Sequence, residues 1–264
     1  MTEPSLAVTR LAGSPHAADL LVVGPSLGTS VAALWSAAAR LVGERFEVLG
    51  WDLPGHGRSE PAREPFTVAE LASAVRGVAA DAVGDGGRRA GYAGVSLGGA
   101  VALELAVDPG MFSRVACIAS AASIGDPGMW HERAALVRRA GTPVMVAPSA
   151  ERWFADGFLD RDPDTGNRLL LALSDTDRES YALACEALAA FDLHARLGEV
   201  AVPLLVAPGE HDVVVPPETA GRTAAAAPGA VLRVLAGCGH LPPAERPDLV
   251  AEALLAHLLE ERDG

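Results

Sequence analysis

The sequence predicts an α/β protein with a mostly parallel sheet, helices on both faces and a helical cap insertion. Short, continuously apolar runs alternate with helix-length segments, as expected for parallel strands buried on both faces. That alternation is interrupted once, over a long helical stretch in the second half of the chain. The 264 residues are 50% hydrophobic, which is enough to bury a large core as one domain.

Six apolar runs are predicted as buried strands, over residues 19–24, 46–52, 91–96, 115–120, 203–209 and 231–237. Helical patterns lie between them, over residues 31–42, 97–107, 218–226 and 247–260. A further helix is predicted to begin after Thr67, because Thr67 and Glu70 have the spacing of a capping box.

The interruption covers residues 122–196, which contain helical pieces and polar turns but no convincing strand. An insertion after the fourth predicted strand is expected to cover the carboxyl edge of the sheet, where open α/β sheets bind ligands. We therefore predict a core formed by residues 1–121 and 197–264, and a cap formed by residues 122–196.

Composition excludes several functions. A net charge of −13 argues against nucleic acid and anionic membranes as partners. All 21 basic residues are arginine, so lysine chemistry such as a Schiff base is excluded. Three scattered cysteines fit a reducing compartment. No signal peptide, membrane span or metal-ligand spacing is recognisable, so we expect a cytoplasmic protein without a metal site.

The segment GYAGVSLGGA, residues 91–100, places Ser96 where a predicted strand meets a predicted helix. Gly94 and Gly98 complete a G-x-S-x-G pattern, in which a strained bend exposes the serine and side chains at the glycines would strike neighbouring backbone. The helix that follows directs its N-terminus at the serine and favours a developing oxyanion. The pattern predicts a nucleophile; a packed turn of small residues is the alternative.

A nucleophilic serine needs a basic partner that is itself oriented by an acid. In this architecture, the acid and then the histidine follow the serine along the chain, each just beyond a strand. Asp212 and His240 satisfy that order. Glu210 and His211 flank the predicted acid, and Asp126 is a rival that lies further along its loop.

The other candidate groups receive structural interpretations. His56, in DLPGHGRS, is expected to brace a tight loop beside the pocket, and Cys238 is expected to pack internally. Three further histidines are predicted at the surface or at an interface, namely His16, His194 and His257.

An oxyanion hole requires two backbone N–H groups. Leu97, directly after the nucleophile, is predicted to supply one of them. The loop GPSLGTS supplies the other, and because Pro25 has no N–H, Ser26 is the predicted donor and Leu27 the alternative.

In chain order, the segments DLPGHGRS, GVSLGG, GEHD and CGH resemble the α/β-hydrolase family over essentially the whole chain. The resemblance implies the α/β-hydrolase fold and a triad of Ser96, His240 and Asp212. Most relatives carry His-Gly where this chain has Gly24 and Pro25.

Two further features are similar to 3-oxoadipate enol-lactonases, namely SLGTS followed by Trp35, and the cap segments GMWHERAALVRRAG and ERWF. Leu97 departs mildly from this group, which often has methionine after the nucleophile. The likeness implies cofactor-free opening of a small anionic lactone in the catabolism of aromatic compounds.

The cap offers candidate substrate contacts. Trp130 and Arg133 are one helical turn apart, and an aromatic wall beside a guanidinium suits a flat ring that bears a carboxylate. Alternatively, Trp130 fills the cap core and Arg133 is solvated. Trp153 either contacts substrate or joins cap to sheet. Other arginines could bind the carboxylate, namely Arg138, Arg139 and Arg152.

Rival functions remain open at this point. The same triad would serve a carboxylesterase, another lactonase or a perhydrolase. A non-catalytic ligand receptor on the same scaffold is the alternative of another class, because fold does not fix function. The sequence defines neither the oligomeric state nor any cooperation with a decarboxylase.

Overall fold

The structure is a computed structural model that describes residues 4–84 and 87–260. Within these ranges, seven strands form one sheet in the order β1-β3-β2-β4-β5-β6-β7. The strands are β1 (Val8–Ala12), β2 (Asp19–Gly24), β3 (Phe46–Trp51), β4 (Arg89–Val95), β5 (Phe112–Ile118), β6 (Leu204–Ala207) and β7 (Val231–Leu232). All pairings from β3 to β7 are parallel, which confirms the predicted α/β class.

Both edges of the sheet depart from the sequence-based expectation. Strand β1 was not predicted, because its residues are only partly buried and form no continuous apolar run. It pairs antiparallel with β3. The buried strand predicted over residues 231–237 is wrong in extent and burial, since β7 has two residues, of which Val231 is 54% exposed. An edge strand has one neighbour, and an apolar sequence alone does not reveal that.

Helices cover the sheet and account for the interrupted region. The capping box is confirmed, since Thr67 Oγ1 accepts the N–H of Glu70 and the Glu70 carboxylate accepts the N–H of Thr67. The helices outside the interrupted region are α1 (Val31–Val42), α2 (Val68–Val83), α3 (Leu97–Val107), α9 (Pro217–Ala226), α10 (Pro242–Glu245) and α11 (Pro247–Leu259).

Between β5 and β6 the chain is helical, and the residues described there form no strand. The elements are α4 (Pro127–Ala140), a 3-10 helix (Thr142–Met145), α5 (Val146–Trp153), α6 (Phe158–Arg161), α7 (Pro163–Asp175), α8 (Arg178–Ala190) and a second 3-10 helix (His194–Glu199). The predicted cap boundary at residue 196 falls inside this last helix and stays a prediction.

Strand order positions the candidate site. Strand β2 lies between β3 and β4, so successive strands are added first on one side of β2 and then on the other. Open α/β sheets bind ligands at such a reversal of strand order. The register pairs Gly24 with Gly94 at the carboxyl ends of β2 and β4. The loop after β2 therefore lies beside the turn that carries Ser96. No helix of the described ranges is long and apolar enough to cross a bilayer.

Candidate active site

Ser96 occupies a strained turn between β4 and α3. Its φ of 57° and ψ of −113° lie outside the regions that side-chain-bearing residues favour. Such a conformation costs on the order of 1–3 kcal/mol and persists only where its surroundings hold it. Here the N–H of Ser96 donates to the carbonyl of Ile118, 2.9 Å away on the neighbouring strand.

The two glycines of the motif are required by close backbone contacts. A methyl group on Gly94 would overlap the carbonyl of Gly98, and one on Gly98 would lie 2.7 Å from the carbonyl oxygen of Pro25. The N–H of Gly98 donates to that same oxygen at 2.9 Å, which ties the start of α3 to the loop after β2. The expectation that side chains here would strike neighbouring backbone is confirmed.

His240 and Asp212 lie together on the loops that follow β7 and β6. Nδ1 of His240 is 2.8 Å from Oδ2 of Asp212, and both side chains are buried. The other oxygen of Asp212 accepts the N–H groups of Val214 and Val215, at 2.8 and 3.0 Å. The carboxylate is thus fixed and acceptor-only, so Nδ1 of the imidazole donates to it and Nε2 carries the lone pair.

The rival acids are engaged elsewhere. Asp126 is exposed and caps α4 by accepting the N–H groups of Gly128 and Met129. Glu210 is exposed and accepts the N–H of Gly237 at 2.8 Å. Neither carboxylate contacts the His240 ring, whose Nδ1 bonds to Asp212.

The predicted oxyanion donors lie on the two segments that meet at Ser96. Leu97 opens α3, and a first-turn N–H has no acceptor inside its own helix. In the described part of the chain, neither the N–H of Leu97 nor that of Ser26 donates to a protein acceptor. The Ser26 carbonyl accepts the N–H and hydroxyl of Thr29, which stiffens the loop. Both donors stay predictions.

This chain has Gly24 and Pro25 where most of the α/β hydrolases it resembles have His-Gly, and the surroundings of Gly24 leave no room for a side chain. A side chain on Gly24 would overlap the hydroxyl of Tyr92, which itself donates to the carbonyl of Gly98. The indole N–H of Trp35 donates to the Gly24 carbonyl at 2.9 Å. Trp35 therefore anchors the end of β2 from inside the core, where it is 1% exposed.

Trp130 and Arg133 share a face of α4, as the spacing predicts. The guanidinium carbon of Arg133 lies 4.6 Å from the centre of the Trp130 ring. Trp130 is buried, and its indole N–H donates to the carbonyl of Ile124. The tryptophan therefore packs in the helical region and stacks under a cation, and its contact with substrate stays a prediction.

Helices α4, α5 and α8 bring these residues towards the loop after β2. Burial raises the pKa of Tyr181, and the nearby guanidinium of Arg133 opposes that rise. A methyl group on Gly28 would lie 3.4 Å from both the Tyr181 and the Trp153 rings. Trp153 is 6% exposed, and its carbonyl accepts the N–H of His240 at 2.8 Å, so it joins the helical region to the histidine loop.

Two arginines of the helical region, Arg133 and Arg152, have no carboxylate partner within the described residues. Burial lowers the pKa of Arg152, and the adjacent charge of Arg133 lowers it further. Within the described residues, neither of these guanidinium groups forms an ion pair, whereas Arg138, also in α4, pairs with Glu179 and Glu186. Arg152 donates to the carbonyl of Pro148, and the charge of Glu151 also acts on it. Neighbouring guanidinium groups without an ion pair favour an anion beside them.

His56 lies in the tight loop after β3, as expected. Its Nδ1 is 2.9 Å from the carbonyl of Pro54, and its ring stacks on Tyr181 with 6.2 Å between centroids. Burial lowers the pKa of His56 to about 4, so the ring is neutral at pH 7. It acts as a packed support beneath Tyr181.

Of the remaining predictions on single residues, three agree with the structure and one does not. His16 and His194 are exposed, as predicted. Cys238 is fully buried, and burial raises the pKa of its thiol to about 12, which fits the packing role. The prediction for His257 is wrong: it is 7% exposed, and its Nε2 lies 3.0 Å from the carbonyl of Val115 under the sheet.

One buried acid near the site was not predicted. Glu245, in α10, is 4% exposed and accepts backbone N–H groups on both sides of His240. No group of three His, Cys or carboxylate side chains in the described residues has the geometry to hold a metal ion.

The profile of the alpha/beta hydrolase family matches residues 16–253. The chain therefore belongs to the alpha/beta hydrolase family, and it is a hydrolase. Among curated relatives, the 3-oxoadipate enol-lactonase 2 of Acinetobacter baylyi is 31% identical over 195 residues, which cover 74% of this chain and 72% of the relative.

Solved structures show the same likeness. The crystal structure of the enol-lactonase from Burkholderia xenovorans LB400 superposes with a TM-score of 0.89 at 31% identity, covering 97% of this chain and 96% of that chain. A hydrolase from Pseudomonas aeruginosa superposes with a TM-score of 0.87 at 32% identity, covering 97% and 94%.

Proposed function

We propose that this protein is a serine hydrolase that opens the lactone ring of 3-oxoadipate enol-lactone with Ser96, His240 and Asp212. The observation that carries the proposal is the buried hydrogen bond of 2.8 Å between His240 and Asp212. It leaves Nε2 as a base, in a chain whose serine stands on a strained strand–helix turn. The resemblance to relatives named as enol-lactonases supports the substrate.

In the first half-reaction, Nε2 of His240 takes the proton from Ser96 Oγ, which attacks the lactone carbonyl. The N–H groups of Ser26 and Leu97 bind the tetrahedral oxyanion, each worth on the order of 3 kcal/mol. Collapse breaks the bond between the acyl carbon and the ring oxygen. The imidazolium of His240 gives its proton to the leaving enolate at carbon, so the product becomes the ketone and His240 is neutral again.

In the second half-reaction, His240 takes a proton from water, and the resulting hydroxide attacks the acyl-enzyme. Collapse of the second tetrahedral intermediate returns the proton to Ser96 Oγ and releases the free acid. Asp212 stays ionised throughout and stabilises the imidazolium. The scheme needs no cofactor.

Arg133, stacked on Trp130, supports a carboxylate-bearing substrate. A cation held on an aromatic face beside Arg152 has no internal anion to pair with, so binding a carboxylate removes the repulsion between the two guanidinium groups. Trp153 closes the same region against the loop after β2. An acidic protein needs such a local cation to bind an anion at all.

We further propose that the enzyme acts in the cytoplasm, in the catabolism of aromatic compounds. The free state of all three cysteines fits a reducing compartment. The proposed ligand is a small anionic lactone, with neither nucleic acid nor membrane as partner, which fits a net charge of −13.

The test compares kcat/KM for 3-oxoadipate enol-lactone, for a neutral lactone of similar size and for a neutral p-nitrophenyl ester. We expect the anionic lactone to be preferred by about tenfold or more, because only it pairs with the unpaired cations. Equal or better turnover of the neutral esters would assign the protein to general carboxylesterases. Binding without turnover of any of the three would make it a receptor.

A further inference from the structure

Glu245 stands out as a buried carboxylate outside the proposed triad. It is 4% exposed, and within the described residues it forms no ion pair with an arginine. Instead it accepts three backbone N–H groups: Ala155 at 2.8 Å, Gly239 at 3.0 Å and Leu241 at 3.1 Å. Since both of its oxygens accept hydrogen bonds, the arrangement fits the ionised carboxylate.

The three donors link two parts of the protein. Gly239 and Leu241 lie on either side of His240, whose own N–H donates to the carbonyl of Trp153. Every backbone N–H from Gly239 to Leu241 is therefore held, two by Glu245 and one by the helical insertion. The third donor to Glu245, Ala155, follows Trp153 by two residues in that same insertion.

The approach of these segments leaves no room between their backbones. A methyl group on Gly239 would lie 2.7 Å from the nitrogen of Ala155 and 2.8 Å from the carbonyl carbon of Phe154. Residues 153–155 and 239–241 thus dock backbone against backbone, with the Glu245 carboxylate fastening both. We refer to residues 153–155, residues 239–241 and Glu245 together as the histidine clasp.

We propose that Glu245 is a positioning residue that holds the backbone of His240 against the helical insertion, so that the imidazole keeps its place relative to Ser96. The inference rests on the proposed function, because it assigns His240 as the base. Burial raises the pKa of Glu245, whereas its three N–H donors and the nearby His240 lower it. Its negative charge therefore favours the imidazolium that forms during attack.

The charged groups around His240 determine the expected effect of removing Glu245. Asp212 bonds to the His240 ring from the loop after β6, and Glu245 acts on it from α10. Cys238 is a neutral thiol, because burial and the charge of Glu245 both raise its pKa. Removing Glu245 thus removes one of two negative charges that favour the imidazolium.

The decisive variant is Glu245→Gln in the full chain, compared with Glu252→Gln. Glu252 lies exposed on α11 and pairs with Arg233, so the control removes an equal charge from a residue outside the clasp. With p-nitrophenyl acetate as substrate, we expect kcat of Glu245→Gln to fall about ten- to hundredfold, because small misplacements of a base are costly. KM should stay within about twofold, and the acid limb of the kcat/KM profile should move to lower pH.

A profile and a kcat equal to those of Glu252→Gln, in folded protein, would overturn the proposal. Amide hydrogen exchange gives a second reading that does not depend on activity. In the wild type, the N–H groups of Ala155, Gly239 and Leu241 should be protected, and in Glu245→Gln they should exchange faster. Rapid exchange of all three in the wild type would overturn the clasp, even if Glu245→Gln fails to fold.

Failure of the clasp and failure of the proposed function give different results. If wild-type protein hydrolyses no ester, the function fails, and the exchange measurement alone decides the clasp. If wild-type protein is active and Glu245→Gln is equally active, the function stands and the positioning role fails.

Discussion

Nδ1 of His240 lies 2.8 Å from Oδ2 of Asp212, and the second oxygen of that carboxylate is bound by the N–H groups of Val214 and Val215. The carboxylate therefore cannot rotate away from the imidazole without breaking two further hydrogen bonds. With Asp212 as a carboxylate, all three of these donors have an acceptor, and the imidazole carries its proton on Nδ1.

Asp212→Asn should lose about 10⁴-fold in kcat, because an amide can present its N–H₂ group to the ring and stabilise the wrong tautomer. Folding should change little, since the side chain keeps its size. Steady-state kinetics with an activated ester and thermal unfolding would measure both effects.

The matched control is Asp126→Asn. This carboxylate follows β5, the alternative position for the acid, but it is exposed and caps α4. We expect unaltered turnover and a loss of stability of no more than about 1 kcal/mol. A large loss of turnover here, with Asp212→Asn still active, would move the acid to the earlier strand.

Arg133→Leu should weaken kcat/KM for the enol-lactone by about 2–3 kcal/mol, the range of hydrogen bonds to charged groups. Hydrolysis of a neutral ester of similar size should be nearly unchanged, because that ester has no carboxylate to lose. Parallel kinetics on the two substrates check the prediction.

Arg139→Leu is the control for the loss of a cation from α4, since Arg139 is exposed on the same helix. It should affect neither substrate. Equal losses on both substrates for Arg133→Leu would mean that Arg133 holds the helices together. No loss on either substrate would mean that Arg152, or no arginine, binds the substrate carboxylate.

Gly94→Ala should destabilise the fold by about 3 kcal/mol or more, because the new methyl group overlaps the backbone carbonyl of Gly98. Gly77→Ala is a matched control: Gly77 lies inside α2, where a methyl group meets no atom within 4 Å. That variant should gain about 1 kcal/mol from helix propensity. Urea unfolding of the two variants should therefore shift in opposite directions, and a neutral Gly94→Ala would contradict the close contact.

His56 should make stability depend on pH. Burial lowers its pKa from the ordinary 6.5 to about 4, so between these values the unfolded chain binds one more proton than the folded one. The stabilisation is complete above the unfolded value and is lost as pH falls towards the folded one, by about 3 kcal/mol in total.

His56→Asn removes this titration and keeps a side-chain donor for the carbonyl of Pro54. The free energy of unfolding, measured by urea at about pH 7 and about pH 4.5, should fall less for the variant than for the wild type. An equal fall of the unfolding free energy in the two proteins would show that His56 is protonated in the folded state.

The central strands and the motif at Ser96 could be predicted because their physics is local. Continuous apolar runs need two covered faces, and Gly94 is required by the backbone of Gly98, four residues further on. Gly98 is required by the backbone of Gly24 and Pro25, but the motif still marks it by its spacing from Ser96. Strand β1 could not be predicted, because its polar, partly exposed residues give no periodic signal and it depends on pairing with β3.

Contacts between segments that are distant along the chain could not be predicted from the sequence. His257 reads as a surface residue near a helix end, yet its ring reaches the carbonyl of Val115, 142 residues away. Glu245 had one signal, an acid inside the apolar stretch HLPPAERP. Its partner Ala155 is 90 residues away, so the hydrogen bond appears only in the fold.

Turnover of 3-oxoadipate enol-lactone by wild-type protein and by Ser96→Ala tests the account most directly. Ser120→Ala, which removes another buried hydroxyl just beyond the neighbouring β5, is the control. We predict hydrolysis by the wild type and by Ser120→Ala, and a loss of about 10⁴-fold or more in Ser96→Ala with unfolding unchanged. Activity of Ser96→Ala within about tenfold of the wild type would contradict the assignment of Ser96 as the nucleophile.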